Sequence, residues 1–252
     1  MGQTVMRNTT AQSSRLAIGV ALASLVSVSL ISVSNAVDPA SYLGQNGQHR
    51  LFTSDMPPGV LGQARLAGRG LVSGYCQPVA FSGPSGVRFA LSQSGAFTDP
   101  SESLQAGLIV GGVYRFQITS IPGAEGAELY PTIEIIDRTY PPPGLATRFP
   151  IQVTLDQDDF DAALDGRMVT RVIFLEDPQT ASPLLQTPLT TRPLEIAEYQ
   201  DALETADRFG RPVAIVRIGS VAPPRAPALM PGFFFGYPAW APIYQPEQAI
   251  EQ

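Results

Sequence analysis

Asp156-Gln157-Asp158-Asp159-Phe160-Asp161-Ala162-Ala163-Leu164-Asp165-Gly166 opens with acids, carries apolar residues at helical spacing and closes on glycine. Asp156 is placed to cap a short helix and Asp159 to close the capping box. Phe160, Ala163 and Leu164 form the inner stripe, and Gly166 ends it. Val172-Ile173-Phe174-Leu175 then reads as a strand. A weaker copy follows downstream. There Ala202, Leu203, Ala206 and Phe209 make the stripe, Glu204 faces Arg208 four residues on, Gly210 terminates, and Val213-Ala214-Ile215-Val216 is the strand. Continuous apolar runs mark strands covered on both faces, and the two helices are the expected cover. Two copies hint at duplication without making a solenoid.

Upstream of these units the period changes to two. In Val87-Arg88-Phe89-Ala90-Leu91-Ser92 the large apolar side chains fall on one face of a strand. Tyr114 to Thr119, Ile133 to Ile136 and Ile151 to Leu155 behave in the same way. Turns between them come from Ser82-Gly83-Pro84-Ser85-Gly86, Ile121-Pro122-Gly123 and Pro141-Pro142-Pro143-Gly144. The expected fold is α+β: one mainly antiparallel, β-rich, sandwich-like domain over residues 67–220, with two short helix–strand units in its C-terminal half.

The flanks read differently. Arg7 and Arg15 are the only charges before an apolar, serine-diluted run from Leu16 to Val33, which Ser34-Asn35-Ala36 closes before Pro39. This is the pattern of a secretory signal peptide over residues 1–36, cleaved after Ala36. The alternative is membrane association through residues 16–33 as an uncleaved anchor, since the run is just long enough to span a bilayer. Residues 37–66, rich in Gly, Gln and Pro, are expected to be a flexible linker, with His49 as a solvated side chain within it. Residues 221–252 carry seven prolines between Pro223 and Pro246, which argues for a disordered tail. Phe233, Phe234, Phe235, Tyr237 and Trp240 stand among those prolines and are the candidate docking residues for a protein or envelope partner.

Composition excludes much chemistry. All 16 basic residues among the 252 are arginine, so mechanisms that need a lysine amine are closed. One His and one Cys leave no Cys-His dyad and no multi-ligand zinc site. Cys76 lies in an apolar stretch and is expected to be buried and inert. A net charge of -6 argues against nucleic-acid binding. The acidic cluster around Asp156 to Asp165 fails the EF-hand pattern, because Phe160 and Asp161 occupy its fifth and sixth positions, and capping explains it better. No catalytic, metal or cofactor-binding residue is assigned, and no cofactor is expected. For a carboxylate-dependent hydrolase, Glu134 with Asp137, or Glu176 with Asp177, are the pairs to weigh. For a sugar-binding surface they are Tyr75, Tyr114, Tyr130 and Tyr140.

The runs Glu128-Leu129-Tyr130-Pro131-Thr132-Ile133-Glu134-Ile135-Ile136-Asp137 and Val169 to Pro178 resemble exported proteins of planctomycete-type bacteria, over roughly residues 70–220. The resemblance implies an envelope, periplasmic or secreted location and transfers no residue role. The leading expectation is a non-enzymatic exported protein, a structural or interaction component of the bacterial cell envelope. The alternatives are a β-rich module binding a sugar or envelope polymer and, behind it, the carboxylate-dependent hydrolase.

Overall fold

In the computed structural model, residues 3–10, 52–68, 72–177, 193–197 and 199–243 are described. The run Leu16–Val33, the cleavage motif, His49 and residues 244–252 lie outside them. Along the first half come β1 (Gln3–Thr10), α1 (Val60–Ala67), β2 (Cys76–Ser82), β3 (Arg88–Gln93), β4 (Ala96–Phe97), β5 (Leu104–Ile109), β6 (Val113–Thr119) and β7 (Thr132–Ile135). The second half adds β8 (Ile151–Thr154), α2 (Gln157–Leu164), β9 (Met168–Glu176), β10 (Leu194–Glu195), α3 (Ala202–Phe209), β11 (Gly210–Ile218), α4 (Met230–Phe233) and β12 (Trp240–Pro242). The fold is α+β and β-rich, built on two mostly antiparallel sheets.

The larger sheet runs β10-β1-β9-β11-β7-β6-β3-β4 and the smaller β12-β5-β2-β8. Among the described residues, only the β1–β10 and β2–β8 pairings are parallel. Between the sheets lies the main core, where Phe81 of β2 meets Phe116 of β6 at 4.9 Å between ring centroids. Strand β9 shows why its sequence is apolar throughout. Val169, Ile173 and Leu175 enter this inter-sheet core, while Val172 and Phe174 face the opposite side, into a second cluster with Leu61 of α1 and Ala202, Leu203 and Ala206 of α3. The molecule is therefore layered as small sheet, large sheet, helices.

The helix–strand units form as expected, with three corrections. Asp156 and Asp159 make the complete capping box on α2, but that helix buries Phe160, Ala162 and Ala163 into the inter-sheet core and leaves Leu164 38% exposed. It covers the mouth of the sandwich, and α3 and α1 share the outer face. Phe209 is 52% exposed rather than part of the α3 stripe. The two terminating glycines also act differently. Gly166 has φ +83°, the left-handed cap geometry, whereas Gly210 is extended, and a Cβ there would stand 2.0 Å from the Leu175 carbonyl oxygen.

The flanks are corrected too. Residues 52–68 do not form a flexible linker: α1 docks on the large sheet, starting from Gly59 at φ +100° with no side-chain cap. The tail is ordered through residue 243, with a 3-10 turn at Pro227–Leu229 leading into α4 and then β12. Gln3–Thr10, which the sequence reading places in the signal peptide, pairs with β9 over eight residues from Gln3↔Leu175 to Thr10↔Met168. Among the described residues no helix is long and apolar enough to cross a membrane.

Candidate functional site

The aromatic residues of the tail are brought together by one strand arginine. On β6, Tyr114, Phe116 and Ile118 enter the inter-sheet core, so Arg115 between them projects from the opposite face. Its Nε donates to the Phe233 carbonyl at 2.7 Å, its Nη1 donates to the Tyr130 carbonyl at 2.6 Å, and its guanidinium lies 4.2 Å from the Phe233 ring centroid and 5.4 Å from that of Phe235. Burial lowers the Arg115 pKa to about 10, and the two rings replace part of the lost water. Phe234 is buried among Phe97, Phe233 and Tyr237, at centroid distances of 5.3, 5.0 and 5.2 Å.

From there the chain turns sharply. Phe235 and Tyr237 hold φ of 53° and 56° on either side of Gly236 at 76°, a left-handed run that bulky side chains adopt only under constraint from their surroundings. The turn carries Trp240 to the junction of the two sheets: its indole N–H donates to the Ser92 carbonyl of β3 in the large sheet at 2.8 Å, while β12 pairs with β5 of the small sheet in the register Trp240↔Leu108, Ala241↔Gly107, Pro242↔Ala106. The Tyr114 hydroxyl donates to the Ala239 carbonyl at 2.8 Å and accepts from the Ile109 N–H. Residues 227–243 thus form a strap that starts on the outer face of the large sheet and ends as the edge strand of the small one. The five docking candidates, Phe233, Phe234, Phe235, Tyr237 and Trp240, all lie in it, folded against this chain's own domain. Arg115 is the member that sequence reasoning missed, since an arginine alternating with apolar strand residues reads as simply solvated.

Of the acids weighed for hydrolysis, Glu134 and Asp137 are bound to arginines. Glu134 is fully buried beneath α1, accepting from the Gly62 N–H at 2.8 Å and from Arg217 Nη1 at 3.2 Å. Arg217 in turn donates to the carbonyls of Ser54 and Met56, which fastens residues 52–68 to the sheet. Asp137 takes Arg65 and Arg211 on the same oxygen at 3.0 Å each. In the acidic cluster, Arg171 of β9 reaches both Asp156 and Asp159 at 2.5 Å, and Arg7 of β1 approaches Asp159 at 3.4 Å. Burial pushes Asp159 up to about 6; burial also acts to raise the Asp156 pKa, but Arg171, the Asp159 N–H and Arg7 together lower it. These acids cap and clamp. Glu176 and Asp177 lie at the end of β9, the latter joined through its N–H to the Phe209 carbonyl.

The four tyrosines do not share a groove. Tyr114 is buried, and burial raises its pKa to about 12. Tyr130 packs at a tilt against Phe97 and edge-to-face against Phe233, and it donates its hydroxyl to Glu128. Tyr75 and Tyr140 clasp Arg138, each with its ring centroid 4.4 Å from the guanidinium, and Arg211 lies 4.8 Å from Tyr140, whose ring is 49% exposed. An open groove of about 620 Å³ lies between the turns 85–86 and 119–128, with Glu125 and Glu128 on its wall. Cys76 is corrected from buried to exposed, at the start of β2. Its sulfur lies over Gly107, where a Cβ would come within 2.5 Å of it, and the partial burial raises the thiol pKa. Compared with family models, curated proteins and solved structures, the chain matches none.

Proposed function

We propose that this protein is a non-enzymatic exported component of a bacterial cell envelope that acts through its surfaces, with the C-terminal strap as the contact element. The observation that carries the reading is the strap: five aromatic residues gathered against the domain, Phe233 and Phe235 over Arg115, with two bulky residues in left-handed backbone geometry. Rings left half-exposed around a buried anchor are the composition of a contact patch. The commitment of Glu134, Asp137 and Asp159 to arginines adds support, because each then serves the fold. Location rests on the residue 1–36 pattern. The test is fractionation of the native host with cross-linking and mass spectrometry of the full-length chain and of a chain ending at Ser220. A defined envelope partner captured by the first and lost by the second supports the reading; two free, soluble forms with no partner refute it.

A second reading, binding of an envelope polymer that carries acid groups, draws on one surface. Tyr140 stands exposed beside Arg138 and Arg211, an arrangement suited to a sugar face and a carboxylate. Retention on an acidic polymer column that Arg211→Ala abolishes would favour it; retention unchanged by that substitution would remove it.

A further inference from the structure

The groove that holds the strap is a peptide-binding site described with its ligand in place. It offers the open edge of β5, the Ser92 carbonyl for an indole, the Phe97 ring for Phe234, and Arg115 with Tyr130 for Phe233, the ring that ends α4. Strand addition with alternate side chains in pockets is a general mode of peptide recognition. The connection to the body is short and exposed. Between Ile218 and Pro227 the chain runs Gly219-Ser220-Val221-Ala222-Pro223-Pro224-Arg225-Ala226, without helix or strand and with Val221 exposed. A proline-stiffened segment of this kind extends by about 3.1 Å per residue and resists folding back sharply. The left-handed turn at Phe235 and Tyr237 opposes docking, so release is easier than the contacts alone suggest.

We infer that the strap exchanges between copies, residues 227–243 of one chain filling the groove of a second, so that the partner of this surface is another copy of the same protein. The inference rests on the surface role proposed above and names its partner. Every contact of the closed strap is available to an exchanged one, since both chains supply the same residues. Only the course of residues 219–226 differs between the two forms, which makes exchange a low-cost route to association. Reciprocal exchange gives a closed dimer; one-way exchange gives a chain of subunits.

The single cysteine provides the test. Cys76 Sγ and the Ala241 Cβ flank the same gap above Gly107. Ala241→Cys places a second thiol on the far side of β5 from the first, two strands away, beyond the reach of a direct disulfide and within that of a short bismaleimide. Each thiol adds across one maleimide double bond and its proton passes to the ring carbon, so no oxidant is consumed. Light and isotopically heavy copies of Ala241→Cys are mixed, incubated at rising concentration, cross-linked with bismaleimidoethane, and mapped by mass spectrometry. The expected result is a Cys76-to-position-241 linkage joining a light and a heavy chain, with a share that rises with concentration. Linkage within single chains at every concentration overturns the inference, as does covalent dimer built only from Cys76–Cys76 pairs. Native mass spectrometry of unaltered light and heavy copies provides a second reading independent of the substitution: mixed dimers support exchange and their absence overturns it. Capture of an envelope protein together with only intrachain linkage removes exchange and leaves the surface role standing. Mixed-chain linkage without any envelope partner supports exchange and removes the envelope assignment.

Discussion

Asp159 shows how one residue type serves two ends. Its carboxylate closes the α2 capping box and also lies fully buried against Arg171. Because its folded pKa is raised to about 6, the folded protein binds a proton there that the unfolded chain releases above about pH 4. The associated stability is present at low pH and lost as pH rises through 6. Denaturation midpoints should therefore improve by ~2 kcal/mol from pH 7 down to about 4.5, and Asp159→Asn should flatten that slope. Glu134 obeys a different rule, since its partner Arg217 neutralises it in the interior. Arg217→Met should cost about 3–5 kcal/mol in urea unfolding by stranding a buried charge, whereas the double change Glu134→Leu with Arg217→Met should recover most of the loss. The capping role of Asp156 and Asp159 was legible because it is local, spanning three residues. Their clamp to Arg171 was not, because it depends on β9 passing beneath the helix, which spacing along the chain does not reveal.

At the level of elements, legibility followed how far stability is local. Strands β3, β6, β7 and β8 were visible from alternation, and α2 and α3 from stripes and caps. Helix α1 carried no such mark. It has eight residues, no side-chain cap and a glycine at its start, so it stands on tertiary contacts: Leu61 is buried, Gly62 donates to Glu134 and Arg65 pairs with Asp137. Strand β1 is the sharper case, since its residues sit ahead of the apolar run in a signal pattern yet pair along β9. Processing after Ala36 would remove it and turn β9 into an outer strand. Hydrogen exchange of a chain beginning at Val37 should then show faster exchange at the β9 amides that face β1, with β11 amides unchanged. Equal protection in both chains would mean that β1 contributes nothing to the fold.

Across the whole molecule, the strap ties the two sheets together at the end where β4 and β12 are outermost. Its order was hidden from sequence for a definite reason. Prolines rule out helix and central strand, but they do not rule out a fixed irregular path. That path is set by Arg115, more than a hundred residues away, and by the Ser92 carbonyl. Phe234→Ala removes the one fully buried ring of the strap and should lower stability by about 3 kcal/mol in thermal or urea unfolding, with the β5 edge amides losing protection first. The chain contains a single tryptophan, and it is Trp240 of the strap. Its indole is hydrogen-bonded at the junction of the two sheets, with none of its kind elsewhere to mask it. Intrinsic fluorescence of the unlabelled protein consequently reports on one event alone, the seating of the strap. A red shift that precedes loss of the β-sheet circular dichroism would time its departure directly.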